Sequence, residues 1–276
     1  MTTVTKISLG GSPILRGKHA VVFGAGGSIG AAVAREFARE GAEVFLVGRT
    51  KSSLEAVAEQ ITATGSDAHI AVIDALDDAG VNAYFDSIAK QTGKIDIVLD
   101  ATGPLAKEYG NTKNAVELPI GEFMTPLTTI VKSRFITARA AARHMIKQHS
   151  GVIIFVTGSP ARAHVPGVTA IGAAFGAIEN LTANLAFEVS PFGVRVVCLR
   201  TVANIDSRSI QDTMDAIVGR LNITKDQAIS QIANSNFLKV PANVTDTANA
   251  AVLIASDSAR MLTGTVVNAT AGAALD

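Results

Sequence analysis

Seven residues near the start of the chain, Gly24-Ala25-Gly26-Gly27-Ser28-Ile29-Gly30, are a candidate anion site. They follow an apolar run, His19–Phe23, and open a segment whose apolar residues Ile29, Val33 and Phe37 recur at helical spacing. Glycine lets backbone approach a phosphate closely, and a helix N-terminus offers free N–H groups and the positive end of a dipole. The turn reads as a diphosphate cradle to which Ser28 adds a hydroxyl. A bare strand–helix turn is the plainer alternative. A second apolar run ends Val47-Gly48-Arg49-Thr50, with Lys51 beside it. NAD sites place a carboxylate there for the ribose hydroxyl, whereas a guanidinium forks onto the oxygens of a 2′-phosphate. Arg49 therefore favours NADP(H) over NAD(H), against the alternative of a solvated loop arginine.

Proton chemistry has few carriers. The stretch Thr157-Gly158-Ser159-Pro160-Ala161-Arg162-Ala163-His164 holds an imidazole that can donate near neutral pH and a guanidinium that can stabilise an oxyanion. Solvated roles for Arg162 and His164 are the alternative. Tyr109 and Lys113 are four apart, but the Gly/Asn-rich residues around them do not predict a helix, so they need not share a face.

The elements that must position these groups alternate. Strand-like runs at His19–Phe23, Val44–Val47, His69–Ile73, Ile95–Leu99, Val152–Val156, Val194–Leu199 and Thr265–Asn268 are separated by helical patterns. Those patterns are Ser28–Glu40, Ser52–Ala63, Val81–Gln91, a long one from about Phe123 to Gln148 broken near Pro126, Ile171–Val189 and Val244–Ser256. The alternation predicts an α/β fold, a Rossmann-like doubly wound parallel sheet of about seven strands with helices on both faces. Residues 1–276 then make a single domain that binds ligands beyond the C-terminal strand ends. Residues 203–240 form the longest insertion, with helical patches at Ile210–Leu221 and Asp226–Ala233. It is either a lid over those strand ends or a surface excursion.

Composition narrows the partners. Lys plus Arg equals Asp plus Glu at 24 each, with no basic stripe, so no nucleic-acid footprint is expected. No run of about 18 apolar residues occurs, and the first residues do not read as a signal peptide, so no membrane association is expected. Cys198 is the single cysteine, which excludes an internal disulfide and fits a reducing, cytoplasmic setting. No metal site is expected.

The glycine turn, its lead Gly17–Val22, the segment Pro166–Phe192, and Leu262-Thr263-Gly264 through Asn268 together resemble the short-chain dehydrogenase/reductase family. The resemblance covers roughly residues 15 to 270. It departs at Phe23 and Ser28, where the family's turn has threonine and its middle glycine. The resemblance implies that Asp74-Ala75 borders the adenine, although Asp74 and Asp100 can instead cap loops. It implies that Ala101, Thr102 and Gly103 line the ribose, and that Ile205-Asp206-Ser207 meets the nicotinamide amide. It also implies a small-molecule substrate and a homodimer or homotetramer formed through the helices over Phe123–Gln148 and Ile171–Val189.

The same resemblance exposes a gap. The family's reductive chemistry uses an Asn-Ser-Tyr-Lys tetrad, and those positions fall on Ile130, Gly158, Ile171 and Phe175. No tyrosine follows Tyr109, and no lysine lies between Lys147 and Lys225, so a shifted alignment restores nothing. General acid–base catalysis contributes roughly 10²–10⁴ in rate and an oxyanion donor about 10²–10³. Ser159, one residue beyond the serine position, is a candidate hydroxyl, and His164 a candidate proton donor. Three functions stay open: an NADP(H)-dependent oxidoreductase with an atypical proton source, a non-catalytic nucleotide-sensing or partner subunit, and a non-redox lyase or isomerase. The glycine turn and Arg49 favour the first two.

Overall fold

Alternation along the first apolar run decides how the sheet is built. In the computed structural model, which describes residues 13–276, β1 (His19–Phe23) sends Val21 and Phe23 into one core and Ala20 and Val22 into the other. All four are buried, so both faces need helical cover. The other strands are β2 (Glu43–Gly48), β3 (Ala68–Val72), β4 (Ile97–Asp100), β5 (Gly151–Gly158), β6 (Val194–Thr201) and β7 (Thr265–Ala269). They lie in the order β3-β2-β1-β4-β5-β6-β7, every neighbouring pair parallel. The expected seven-stranded, doubly wound sheet is the observed one.

The helices are α1 (Ser28–Arg39), α2 (Lys51–Thr62), α3 (Asp78–Thr92), α4 (Ile120–Pro126), α5 (Lys132–Gln148), α6 (Thr169–Val189), α7 (Arg208–Leu221), α8 (Lys225–Asn234) and α9 (Val244–Ala255). Phe37 of α1, Leu54 of α2 and Ala251 of α9 bury against Val22, Leu46 and Ile154 on one face. Phe85 of α3, Ala138 of α5 and Ile178 of α6 bury against Val21, Phe155 and Val196 on the other. The chain runs outward from β1 to β3, then crosses to β4 on the other side of β1. The C-terminal ends of β1 and β4 therefore form the crevice where strand order reverses.

The sequence expectation fails most clearly at Pro126. No break occurs there. The helix begins at Ile120 and continues through Pro126 into a π turn, Leu127–Val131, that leads into α5. A proline removes one helical hydrogen bond and crowds the preceding turn, and a wide π turn absorbs that insult without ending the helix. Other element ends shift by one to three residues. The helix expected from Val81 starts at Asp78 because Asp77 caps it, accepting the Gly80 N–H at 3.1 Å. β5 and β6 each run two residues further than expected, to Gly158 and Thr201. Of residues 1–18, from which the signal-peptide expectation is drawn, residues 1–12 lie outside the described residues. Among the described residues no helix is long and apolar enough to cross a membrane.

Candidate functional site

Four consecutive strand ends present the expected cofactor residues in a row. At the centre, Gly24 has φ +73°, and a Cβ there would lie 2.9 Å from the Ala101 carbonyl carbon. The turn after β1 and the turn after β4 thus touch backbone to backbone. A Cβ on Gly30 would collide with the Gly24 carbonyl, which already accepts the Gly27 N–H at 2.9 Å. Gly27 is the N-cap of α1 and no side chain caps that helix. The first-turn N–H groups, those of Ser28, Ile29 and Gly30, are left to an outside acceptor. Gly26 packs against Ser53 of α2, where a Cβ would come within 2.9 Å of that side chain.

On the β2 side, the Ala25 N–H donates to Val47 at 3.1 Å, which places Gly48, Arg49 and Thr50 beside the turn. Arg49 is exposed, and among the described residues it makes no ion pair or hydrogen bond. Lys51 is occupied by Glu55 at 3.2 Å. After β3, Asp74 accepts the Leu76 N–H at 2.9 Å, and Ala75 is buried. One Asp74 oxygen therefore serves the loop. After β4, Asp100 is buried and committed: it accepts the Thr102 N–H at 2.8 Å and the Thr137 hydroxyl at 2.9 Å. The Thr102 hydroxyl itself is buried without a protein partner. A buried orphan hydroxyl is costly, so this one fits a bound polar ligand. The row suits a dinucleotide: backbone donors for phosphate, a free guanidinium, and an unclaimed hydroxyl on the far side.

Ile205 is placed differently from its expected role. Its N–H donates to the Ala242 carbonyl at 2.9 Å, and its own carbonyl accepts the Gln211 side chain. Both backbone groups are engaged inside the protein, which leaves only its side chain for a ligand.

The four residues on which the resemblance places the tetrad form one apolar plug. Ile130, in the π turn, and Ile171 are buried, and Phe175 packs against the same core. A Cβ on Gly158 would lie 3.0 Å from Phe175 Cε2. A Cβ on Gly103 would lie 3.9 Å from Ile130 Cδ1, so the plug borders the Thr102–Gly103 turn. The absent side chain at 158 and the large one at 175 occupy the same space.

The loop after β5 divides its polar residues. Ser159 is half-buried in a single 3₁₀ turn, and its carbonyl accepts the Arg162 and Ala163 N–H groups at 2.9 and 2.7 Å. Its hydroxyl has no protein partner among the described residues. Arg162 is tied to Glu179, Nε to Oε2 at 3.2 Å. His164 is exposed and lines an open pocket of about 500 Å³ with Pro160, Thr169, Gly172 and Ala173. Of those α6 positions, Thr169 and Ala173 lie about 120–160° around the helix from Ile171 and Phe175, whereas Gly172 lies about 60° from Phe175. Ser159 thus adjoins Gly158, and His164 lines a pocket that Pro160 and Gly172 share with the plug's border. Tyr109 and Lys113 lie outside any α-helix. Burial raises the Tyr109 phenol above its ordinary value, partly offset by a hydrogen bond with the Ser209 side chain. Lys113 pairs with Glu122 at 2.7 Å.

Beneath the plug lie charges that sequence reasoning passed over. Arg200 is fully buried on β6 and grips Glu179 with two bonds, Nε to Oε1 at 2.7 Å and Nη2 to Oε2 at 2.9 Å, while Nη1 meets Asp276. Burial works to lower its pKa, but the bonds to Glu179 and Asp276 outweigh it and leave it raised. Arg134 is buried one turn after Ile130 and donates Nη2 to the Val156 carbonyl at 2.7 Å. Burial lowers its pKa, opposed by the nearby Asp100. The available signal was a strand register: Arg200 alternates with Val196 and Cys198, positions that face the core.

Comparison with known proteins agrees with this architecture. A family model described as short chain dehydrogenase matches residues 18–213. The chain is 28% identical over 257 residues to the uncharacterized oxidoreductase YxjF of Bacillus subtilis (strain 168), covering 92% of this chain and 96% of that one. A putative NAD(P) dependent gluconate 5-dehydrogenase from Beutenbergia cavernae, solved with bound NADP at low occupancy, superposes with a TM-score of 0.81 at 27% identity, over 95% of this chain and 98% of that one. An NAD+-bound xylitol dehydrogenase shares the fold, with a TM-score of 0.85 at 24% identity over 94% and 99% of the two chains. Strand order, glycine turn and family match coincide over the same residues, and the chain belongs to the short chain dehydrogenase family of oxidoreductases.

Proposed function

We propose that this chain is an NADP(H)-binding oxidoreductase that works without the family's Asn-Ser-Tyr-Lys tetrad. The observation that carries the reading is the row of strand ends: Asp74 after β3, Arg49 after β2, the uncapped α1 after β1 and Thr102 after β4. A dinucleotide presents adenine, 2′-phosphate, diphosphate and second ribose in that order. Backbone N–H groups of Ser28, Ile29 and Gly30 hold the diphosphate, and Gly24, Gly26 and Gly27 allow its approach. Arg49, with Thr50, meets the 2′-phosphate. Asp74 and Ala75 border the adenine, and Ala101, Thr102 and Gly103 the nicotinamide ribose. The coenzyme, when bound, supplies the hydride. Ile130, Ile171 and Phe175 exclude water from that end of the cleft, and Ser159 is the unclaimed hydroxyl nearest to it. Such a lining favours a substrate with an activated C=C or C=N bond, which asks less of a proton donor than a ketone does. It also argues against carrying over the polyol substrates named for the relatives.

We also propose a reducing, cytoplasmic setting, supported by the single buried Cys198, and assembly through α5 and α6, supported by the exposed Phe135 and Phe187. A non-catalytic nucleotide sensor is the second reading, and the Phe175 ring over Gly158 favours it. Titration with NADPH and NADH, followed by deuteride transfer from labelled NADPH to an enone, imine and ketone panel, tests both. Arg49→Gln should weaken NADPH about 10–100-fold, the range for a charge-assisted bond, and leave NADH unchanged. Equal loss for both nucleotides would remove the 2′-phosphate argument. Tight NADPH binding with no transfer to any substrate would favour the sensor.

A further inference from the structure

We propose that Arg208 is a phosphate-clamping residue, carried across the cleft by α7 and held against the glycine turn by Ser28. The proposal rests on the cofactor reading above and deepens it. The Arg208 backbone N–H donates to Ser28 Oγ at 3.0 Å, a contact between residues 180 apart in sequence. One turn further on, α7 also reaches the opposite rim of the cleft. Asn111 Nδ2 donates to Thr213 Oγ1 at 3.0 Å. The first turns of α7 therefore span the mouth from the turn after β1 to the loop after β4.

Charge gives the span a use. No residue from Gly24 to Gly30 is charged, so backbone dipoles and one hydroxyl are all that the turn offers a diphosphate. Arg208 brings a full positive charge to that place. Its side chain is 72% exposed, and its ion partner is Asp212, with Nε 3.7 Å from Oδ2. That separation is beyond hydrogen-bond range, and an exposed pair of this kind is easily exchanged for a better acceptor. A guanidinium whose backbone already touches the turn can reach a phosphate oxygen held there, and it binds phosphate with two parallel bonds. Ser28 acquires a role of its own in this arrangement. Glycine, which the family pattern has at this position, could not accept the Arg208 N–H with a side chain. Ser28 is thus a positioning residue, and the insertion that looked like a lid is a second jaw of the anion site.

Calorimetric titration of the full chain with NADPH and with 2′-AMP, which lacks the diphosphate bridge, separates the possibilities. Arg208→Gln should weaken NADPH about tenfold, leave 2′-AMP unchanged, and flatten the salt dependence of NADPH binding. Arg208→Lys keeps the charge without the two-bond fork and should recover only part of the affinity. Ser28→Ala should weaken NADPH several-fold, and adding Arg208→Gln in that background should change little further, since the two act as a unit. Ser28→Gly provides the same comparison should the alanine variant fold poorly. Unchanged NADPH affinity in Arg208→Gln overturns this assignment and leaves the cofactor reading standing. Equal loss for 2′-AMP overturns it too, by moving Arg208 to the other phosphate. Failure of the unmodified chain to bind either NADPH or NADH overturns the cofactor reading, and this inference with it.

Discussion

Substituting Gly158 by alanine should destabilise the protein, and the same change should stabilise it once Phe175 is truncated. Gly158 has φ −132° and ψ 168°, extended backbone that any residue adopts, so its missing side chain is a question of space alone. A Cβ there would stand 3.0 Å from Phe175 Cε2 and 3.3 Å from Pro160 Cδ. Carbon atoms prefer about 3.5–4.0 Å, so the ring must retreat by roughly half an ångström within a packed core. Overpacking of this size costs about 1–3 kcal/mol. Gly→Ala at a compatible backbone position returns about 0.4–1 kcal/mol by restricting the unfolded chain. The expected net loss is therefore about 1–2 kcal/mol with Phe175 present, against a small gain in Phe175→Ala. That makes a coupling of about 2 kcal/mol, within the range for side chains in contact. Urea unfolding of the four proteins, compared at equal m-values, measures it. If Gly158→Ala has the same effect in both backgrounds, or stabilises the protein that keeps its phenylalanine, the two positions are not one packing unit.

Two further outcomes follow from buried ionisable groups. Burial raises the Tyr84 phenol to about 12, whereas an unfolded chain releases that proton near its ordinary value of about 10. Between those values the unfolded state holds fewer protons, so stability is full below about pH 10 and falls as pH rises toward about 12. Tyr84→Phe should remove about 2 kcal/mol of that alkaline loss, read as urea midpoints from pH 9 to 12; an unaltered slope counts against the assignment. Glu179→Gln should cost about 1–3 kcal/mol, because it takes the bidentate carboxylate from buried Arg200 and leaves it only Asp276. Glu179→Leu with Arg200→Met should recover most of it, and a double variant as unstable as the single one would contradict the buried-pair account.

Periodicity made the sheet legible. Runs such as Ala20–Phe23 and Val44–Val47 are buried on both sides, as strands of a parallel sheet covered by helices on both faces must be. The glycine turn was equally legible because its chemistry is local: it needs backbone approach, and only glycine supplies it. Pro126 misled because a proline's effect depends on whether the next turn can widen, and nothing in residues 127–131 announces a π turn. The apolar character of Ile130, Gly158, Ile171 and Phe175 could be read from residue types, but not how they pack. Only the fold shows that Phe175 fills the space above Gly158. His164 and Ser159 looked equally useful in sequence, and only the fold shows that His164 lines an open pocket while Ser159 sits half-buried beside Gly158. The Ser28–Arg208 contact spans 180 residues, a pairing no local pattern carries.

The fit of Phe175 over Gly158 also constrains how this lineage can change. A serine arising at 158 meets the phenyl ring, and a lysine arising at 175 gains a charged side chain with no hydroxyl, phenol or amide of the old set beside it. Either residue installed alone therefore costs packing before it can contribute chemistry, so redesign of this site is better built outward from Ser159 and the α7 span than by single substitutions at Gly158 and Phe175.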